Sequence, residues 1–240
     1  MKRHVAQIIA AVIAALFLVH FSNDRVAAEG FGTASELEVW GKAIDPDGDC
    51  KVFVANGGAL LMAVPGSARP HDLAAETGFT NAPRVVQPVR GDFTLQVQID
   101  GRFMPGDEST NPGRTGYNGA GLVAVLDSNN VVTLARAVLQ HPGSEPMHYA
   151  NFEIRIDGKL QRIGLTGDHP LPKSGPVFLR IERRGAKIHG AVSTDGSRWT
   201  ALDPKEIPEN WTQELQAGVV AVSSSKEEFN PRFSKLQLLK

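Results

Sequence analysis

The chain has 240 residues, 42% hydrophobic and 21% charged, with 24 glycines and 15 prolines, the make-up of a globular protein with too much turn punctuation for a helical bundle or coiled coil. The formal charge is −1 at pH 7, and Lys2, Arg3 and Arg25 against Asp24 form a surplus of two positive charges at the N-terminus, so the remainder carries −3. There is no basic excess to attract nucleic acid or anionic lipid, and a single cysteine, Cys50, excludes an intramolecular disulfide framework, a multi-cysteine zinc site and an iron–sulfur cluster.

Residues 1–28 have the layout of an export signal: the cationic start Met1-Lys2-Arg3-His4, an apolar run over 8–19, and the small exit Val26-Ala27-Ala28 before Glu29. The competing reading is an uncleaved anchor, because 5–21 reaches the lower edge of a membrane span, though Gln7 and His20 interrupt it. The expectation is a signal peptide over 1–28, a single domain over 29–240, a secreted or periplasmic location, and no stable membrane insertion unless the segment is retained. Cys50 lies too far from the cleavage point to be a lipoprotein cysteine, which leaves it buried or available to another chain.

Next, Asp45-Pro-Asp-Gly-Asp49 sets three carboxylates on alternate residues, the spacing with which a calcium loop begins, so Asp45, Asp47 and Asp49 are candidate calcium ligands. The glycine and terminal glutamate of an EF-hand loop are not in place, and a solvated acidic turn is the rival. His71, Asp72, Asn81 and Arg84 fall in polar loops and, with Asp92, make a candidate second polar cluster. Short helices are expected only at 71–77 and 204–215.

From there period-2 alternation takes over. Phe93, Leu95, Val97 and Ile99 fall on one side of a strand, with Thr94, Gln96, Gln98 and Asp100 on the other. The same pattern predicts strands at 121–126, 131–138, 151–157, 177–183, 187–193, 217–222 and 232–239. Their joints, 127–130, Asp157-Gly158, Arg184-Gly185 and Asp195-Gly196, carry residues that tolerate positive φ, as tight hairpins require. With no stretch long enough for a crossover helix, the prediction is an all-β antiparallel sandwich or jelly roll. The segments 105–117 and 140–148 read as long loops over its rim, where function is often carried.

Four segments in order, Gly119-Ala-Gly-Leu-Val123, Asn130-Val-Val-Thr-Leu134, Ser193-Thr-Asp-Gly-Ser-Arg-Trp199 and Ala217-Gly-Val-Val-Ala221, resemble the concanavalin A-like lectin/glucanase superfamily, specifically its bacterial jelly-roll domains of unknown function. The resemblance implies two curved sheets with a concave face, and relatives that bind or cleave carbohydrate. Fold analogy is a weak warrant for activity. The turn at Asp195-Gly196 is its most specific part, and Trp199 is expected to fold over it and seal one end of the sandwich.

Glucanases of that superfamily set a Glu-x-Asp-x-x-Glu pattern on one strand, and this chain lacks it. Its nearest counterpart is Glu153-Ile-Arg-Ile-Asp157, in which Glu153, Arg155 and Asp157 share a face, as an ion-pair ladder or as part of a catalytic pair. If neighbouring strands pair as the hairpins suggest, Arg136, Glu153, Arg155, Arg180, Glu182 and His189 share one polar sheet face. Such a face is either a sugar site, with Tyr117, Tyr149, Trp40 and Trp211 as the available rings, or an ordinary half-exposed sheet. His141 and His148, which bracket a loop containing Glu145, have the donor types for an acid–base pair or a metal, but not a recognised ligand spacing.

Three functions follow. The first is an exported, non-catalytic carbohydrate-binding or surface-interaction module, with Arg136, Arg155, Arg180, His189, Tyr117, Tyr149, His141 and His148 as ligand-binding candidates. The second is a glycoside hydrolase or polysaccharide lyase with Glu153 or Glu182 as the catalytic carboxylate. The third is a structural envelope domain with a protein partner. No nucleophilic triad order, phosphate-binding glycine turn or helical zinc motif is present. The only cofactor expected at all is calcium.

Overall fold

The computed structural model describes residues 34–66, 69–162, 167–212 and 214–240; the expected export signal lies outside them. The described chain opens with a short helix, α1 (Ala34–Trp40), which the sequence did not signal. Fifteen strands follow: β1 (Lys42–Ile44), β2 (Lys51–Val54), β3 (Leu60–Ala63), β4 (Arg84–Val89), β5 (Phe93–Asp100), β6 (Gly116–Asp127), β7 (Asn130–Gln140), β8 (Met147–Ile156), β9 (Lys159–Arg162), β10 (Val177–Arg184), β11 (Lys187–Ser193), β12 (Thr200–Ala201), β13 (Lys205–Glu206), β14 (Leu215–Ser223) and β15 (Arg232–Leu239).

These strands form two antiparallel sheets, the β-sandwich jelly roll that alternation predicts. The first sheet runs β1-β4-β14-β6-β7-β8-β9; the second runs β12-β11-β10-β5-β15-β3-β2, with β13 pairing β11. Alternation decides what lies between them. Leu122, Leu134, Phe152, Ile154 and Val219 of the first sheet meet Leu95, Val97, Leu179, Ile181 and Phe233 of the second in one apolar core. Removing these side chains from water is the main force holding the sheets together, at roughly 1.5–3 kcal/mol per large side chain.

Hairpin chemistry appears where it was expected. Asp157 (φ 52°) and Gly158 (φ 72°) are both left-handed between β8 and β9, and Asn130 Oδ1 accepts from the Asp157 amide at 3.0 Å. Gly185 (φ 55°) turns β10 into β11.

Other expectations are corrected. The strands β6 and β8 begin earlier than alternation indicated, so Tyr117 and His148 are strand residues, not loop residues, and Tyr149 falls within β8. The helix expected at 71–77 reduces to a 3-10 turn at Ala75–Thr77. The one at 204–215 is replaced by β13 and a 3-10 turn at Glu209–Thr212. Trp40 and Trp211 belong to the apolar core, so neither ring is available to a ligand. Trp199 does not close the end of the sandwich; it lies half-buried against Arg180.

Arg136 is the largest departure from alternation read as inside versus outside. It occupies an inward position on β7 and is fully buried, with its guanidinium 4.6 Å from the Phe103 ring centroid. Nη1 donates to Gly175 O at 2.7 Å and Nη2 to Pro172 O and Lys173 O, both at 3.3 Å. It therefore ties β7 to the segment that leads into β10. A cation survives here because carbonyl dipoles and a ring face replace water, and burial still pushes its pKa down.

Candidate functional site

The face of the first sheet that points away from the core is not left to solvent. Leu73 and Ala82, from the segment between β3 and β4, pack on Val86, Val123, Val131 and Val220 in a second, smaller apolar cluster. This segment is held in place by backbone pairing of His71 with Ser223 on β14, at 2.8 and 2.9 Å. A second segment, leading from β5 into β6, anchors through Thr110 N to Ser224 O at 2.9 Å. Between these two coverings and the strands lies a cleft of about 380 Å³, within the size range of small-ligand sites, roughly 300–1,000 Å³.

Thr133 and Ala135 of β7 and Val220 and Val222 of β14 line its floor, and strand register sets what surrounds them. Across β6, β7 and β8, Gly119 pairs with Ala137 and Ala137 with Tyr149; Gly121 pairs with Ala135 and Ala135 with Asn151; Thr133 pairs with Glu153 and Val131 with Arg155. Small residues thus occupy the middle while long polar ones rise from β8. A Cβ on Gly119 would come within 2.5 Å of the Tyr117 hydroxyl, so glycine is what lets that ring lie along its own strand. Asn151 Nδ2 then donates to Tyr117 Oη at 3.1 Å. Burial first, then the neighbouring Tyr149 and Glu153, holds the Tyr117 pKa well above its ordinary value, so the group is a neutral phenol.

The charged end of the cleft centres on Arg155. Its Nε and Nη2 donate to the two carboxylate oxygens of Glu76 at 2.9 and 3.0 Å, and Nη1 donates to Glu153 Oε2 at 3.1 Å. Such a bidentate pair is rigid as well as strong. Burial acts to lower the Arg155 pKa, but Glu76, Glu153 and Asp72 outweigh it and hold the group charged. Glu76 feels the same contact from the other side: burial raises its pKa, and the Arg155 hydrogen bond pulls it below the ordinary value.

Asp72 behaves differently. Half-buried at the cleft wall, its carboxyl is pushed up to about 6, by burial first and by Glu153 and Glu76, against the opposing charge of Arg155 and the Leu73 amide. Its backbone position is set by Asn81, whose Oδ1 accepts from Asp72 N at 3.1 Å. Asn81 Nδ2 in turn donates to Asp47 Oδ2 at 2.6 Å and Pro70 O at 3.0 Å.

Only part of the polar face expected from sequence is assembled. Glu153, Arg155, Tyr117 and Tyr149 do converge in the cleft. Arg136 does not, because it points into the core. His148 follows it, on the core-facing side of β8 with Nδ1 buried and unpartnered, and its pKa is lowered by burial, then by Arg136 and Lys173. His141 stays exposed at the rim, 3.4 Å from Thr115. Arg180, Glu182 and His189 lie on the other sheet altogether, beside Trp199; Glu182 pairs with Arg184 at 3.1 Å and Arg180 at 3.8 Å. Glu153 and Glu182 therefore cannot act on one substrate. Asp92 also belongs elsewhere, accepting from Gly185 N at 2.7 Å, and Arg84 donates to Ala82 O at 2.9 Å.

The three aspartates proposed for calcium take three different partners. Asp45 Oδ2 accepts from Cys50 N at 2.9 Å, Asp47 pairs with Arg69 at 2.9 Å, and Asp49 Oδ1 lies 2.9 Å from His71 Nε2. They do not form one ligand set among the described residues; the set that does converge is Asp49, Cys50 and His71. Cys50 is half-buried, and burial with the charges of Asp45 and Asp49 raises its thiol pKa strongly.

Sequence reasoning missed Glu76 as a site residue, since a lone glutamate in a 3-10 turn carries no signal. For Asp72 and Asn81 a signal existed, their place among polar loops, but not what they face.

No protein-family model matches the chain, and no curated protein matches it. Solved structures do share the fold. A functionally unknown protein from Saccharomyces cerevisiae superposes with a TM-score of 0.60 at 15% identity, covering 84% of this chain and 96% of that one. The alginate lyase from Klebsiella pneumoniae gives 0.53 at 12% identity, covering 85% and 97%. The xylan beta-1,4-xylosidase from Bacillus halodurans C-125 gives 0.56 at 14% identity over 76% of this chain, which spans only 33% of the xylosidase. At these identities the likeness establishes the β-sandwich fold and no more.

Proposed function

We propose that this is an exported β-sandwich of concanavalin A-like type, released from its N-terminal segment, that binds a glycan in the cleft on the first sheet. One observation carries the reading: a floor of Thr133, Ala135, Val220 and Val222 is walled by Tyr117, Tyr149, Asn151, Glu153 and Arg155, with Asn151 bonded to Tyr117 and Arg155 to Glu153 before a ligand arrives. Sugars need hydroxyl-sized donors and acceptors at fixed positions beside a ring face, and pre-formed contacts lower the ordering cost of binding. Sugar-active proteins of the same fold support the reading by analogy alone.

A glycan array with the purified protein tests it. Binding that is lost in Asn151→Ala and Tyr149→Ala, and kept in Trp199→Ala, is the expected result; no binding to any glycan, or equal binding by all three variants, overturns it.

A second reading, glycoside cleavage, is favoured by Asp72. A carboxyl pushed up to about 6 beside the carboxylates of Glu153 and Glu76 has the split in protonation that acid–base catalysis uses. A reducing-end assay on each bound glycan decides: product with the native protein and none with Asp72→Asn supports cleavage, and binding without product leaves a pure binding module.

A further inference from the structure

Away from the cleft, the turn between β1 and β2 and the residue that follows Pro70 bring three unlike donors together. Asp49 Oδ1 lies 2.9 Å from His71 Nε2 and 3.4 Å from Cys50 Sγ, and all three donor atoms fall within 4.8 Å of one another. We propose that Asp49, Cys50 and His71 bind a transition-metal ion of zinc type.

The geometry suits that ion. Zinc with bonds of about 2.0–2.3 Å in a tetrahedron sets adjacent ligand atoms about 3.3–3.8 Å apart, so the carboxylate–thiol spacing fits as it stands, the carboxylate–imidazole spacing opens by a few tenths of an ångström, and the thiol–imidazole spacing, the longest of the three and within 4.8 Å, closes by up to about 1 Å. One ligand is fixed in advance. His71 is 1% exposed, and its backbone is bonded through both N and O to Ser223 of β14, so the imidazole is carried on a fixed backbone and packed on all sides.

A further observation asks for a cation. Asp45, whose Oδ2 accepts from the Cys50 amide, keeps its Oδ1 buried with no hydrogen-bond partner. A buried carboxylate oxygen without a partner is costly, and a neighbouring divalent ion compensates for it. Donor chemistry then selects the metal: sulfur and imidazole disfavour calcium and magnesium, which take oxygen, and favour zinc, cobalt or nickel. A nucleophilic role for Cys50 fits less well, because His71 Nε2 is engaged by Asp49 and the thiol's hydrogen bond goes to the Asp49 carboxylate, not to the imidazole.

The consequence reaches the cleft without depending on any reading of what the cleft binds. The same turn that carries Asp49 and Cys50 holds Asn81 through Asp47, and Asn81 holds Asp72. A metal joining the turn to His71 would staple the segment that supplies Asp72 and Glu76.

The test uses the purified full chain, stripped of metal, titrated with Co²⁺ and followed by absorption. The expected result is one equivalent bound, with a near-ultraviolet thiolate-to-cobalt band and intense visible bands of a tetrahedral site, bleached by Zn²⁺ and unaffected by excess Ca²⁺. Cys50→Ser should abolish the near-ultraviolet band and weaken binding at least tenfold, and Zn²⁺ should slow the reaction of Cys50 with a thiol reagent. Should His71→Asn fail to fold, Asp49→Asn, at an exposed position, replaces it and should lose affinity as well. Absence of the near-ultraviolet band in the native protein, displacement of Co²⁺ by Ca²⁺, or unchanged binding in Cys50→Ser overturns the proposal.

Discussion

The two outward faces of the sandwich start from the same kind of sequence and end differently. On the first sheet, β8 presents Tyr149, Asn151, Glu153 and Arg155; on the second, β10 presents Arg180, Glu182 and Arg184, with Gln96 and Trp199 beside them. Both are period-2 rows of polar residues mixing acids and arginines. Yet the Arg155 side chain is 6% exposed and that of Arg180 is 28% exposed. The difference comes from what lies over the strands: two long connections cover the first face and, among the described residues, none of comparable reach covers the second. Burial removes the screening that makes surface ion pairs weak, so one row becomes a pre-organised cleft and the other remains an open ladder. Alternation assigns a side chain to a face; only the connections decide whether that face is a site.

Removing the two arginines in turn would break this comparison most directly. Arg155→Met leaves Glu76, Glu153 and Asp72 crowded without their cation, and breaking a buried pair of this kind costs about 3–5 kcal/mol. Arg180→Met on the open face, where Gln96 Oε1 accepts from its Nη2 at 2.9 Å and Trp199 stacks under it, is expected to cost about 1 kcal/mol or less. Urea denaturation of the two variants at neutral pH checks the pair, and equal losses would mean that the coverings do not change the electrostatics.

The pH dependence sharpens it. An acid whose folded pKa lies above its unfolded value holds its proton more tightly when folded, so Asp72, at about 6 when folded against roughly 3.9 unfolded, contributes stability below about pH 4. That contribution is lost as pH rises to about 6. Asp72→Asn keeps an oxygen for the Leu73 amide and removes the charge, so it should stabilise the protein at pH 7 by about 1–2 kcal/mol and by much less at pH 4. Glu76, whose pKa is depressed, works in the opposite sense: its contribution is present at neutral pH and is lost as pH falls through its lowered folded pKa. Melting curves from pH 4 to 8 on the native and Asp72→Asn proteins separate the two. A variant less stable than the native protein at pH 7 would contradict the burial of this carboxyl.

The seating of the Tyr117 ring makes a prediction for binding alone. Gly119→Ala places a methyl group 2.5 Å from the Tyr117 hydroxyl, which forces the ring off its strand and breaks the bond with Asn151. We expect glycan affinity to fall about tenfold, or about 1.4 kcal/mol, with little change on the second sheet. Titration calorimetry with a glycan found on the array reads the affinity, and unaltered binding would show that Tyr117 is not part of the site.

The strands and their facing were legible because alternation is local: Phe93 to Ile99 and Phe152 to Ile156 point where period 2 puts them. The short strands β1 to β4 and β9 were not, since Lys42–Ile44 or Leu60–Ala63 is too brief to show a period. Grouping was the deeper failure. Arg180, Glu182 and His189 were joined to Glu153 because all alternate with core residues, but alternation is silent about which of two sheets a strand enters, and β10 pairs with β5 and β11 with β10, neither with β8. Arg136 escaped for a different reason. Its partners are carbonyls 36 to 39 residues away, and nothing in a sequence distinguishes an arginine that will be wrapped by backbone from one that will face water. The cluster of Asp49, Cys50 and His71 was half visible: the acidic turn drew attention to Asp49, but as one of three like oxygen donors, because His71 is 22 residues further on.

The smallest effect concerns Trp199, and it bears on what the Ser193 to Trp199 turn is for. Asp195 receives the amides of Ser197 and Arg198 at 2.8 and 2.9 Å and the Arg198 guanidinium at 2.8 Å, while Ser193 Oγ accepts from Gly196 N at 2.9 Å. The turn is therefore fixed by its own polar atoms and does not need the indole to close it. Trp199→Ala should cost less than about 1 kcal/mol, near the value of an exposed cation–π contact, and should leave binding in the cleft unchanged. A double-mutant cycle with Arg180→Met isolates the contact: the two single losses should exceed the double loss by roughly 0.5–1 kcal/mol. A coupling near zero would mean that the stacked pair contributes nothing. Loss of cleft binding in Trp199→Ala would be the more serious outcome, since it would show that the two outward faces communicate through the core instead of serving separate ends.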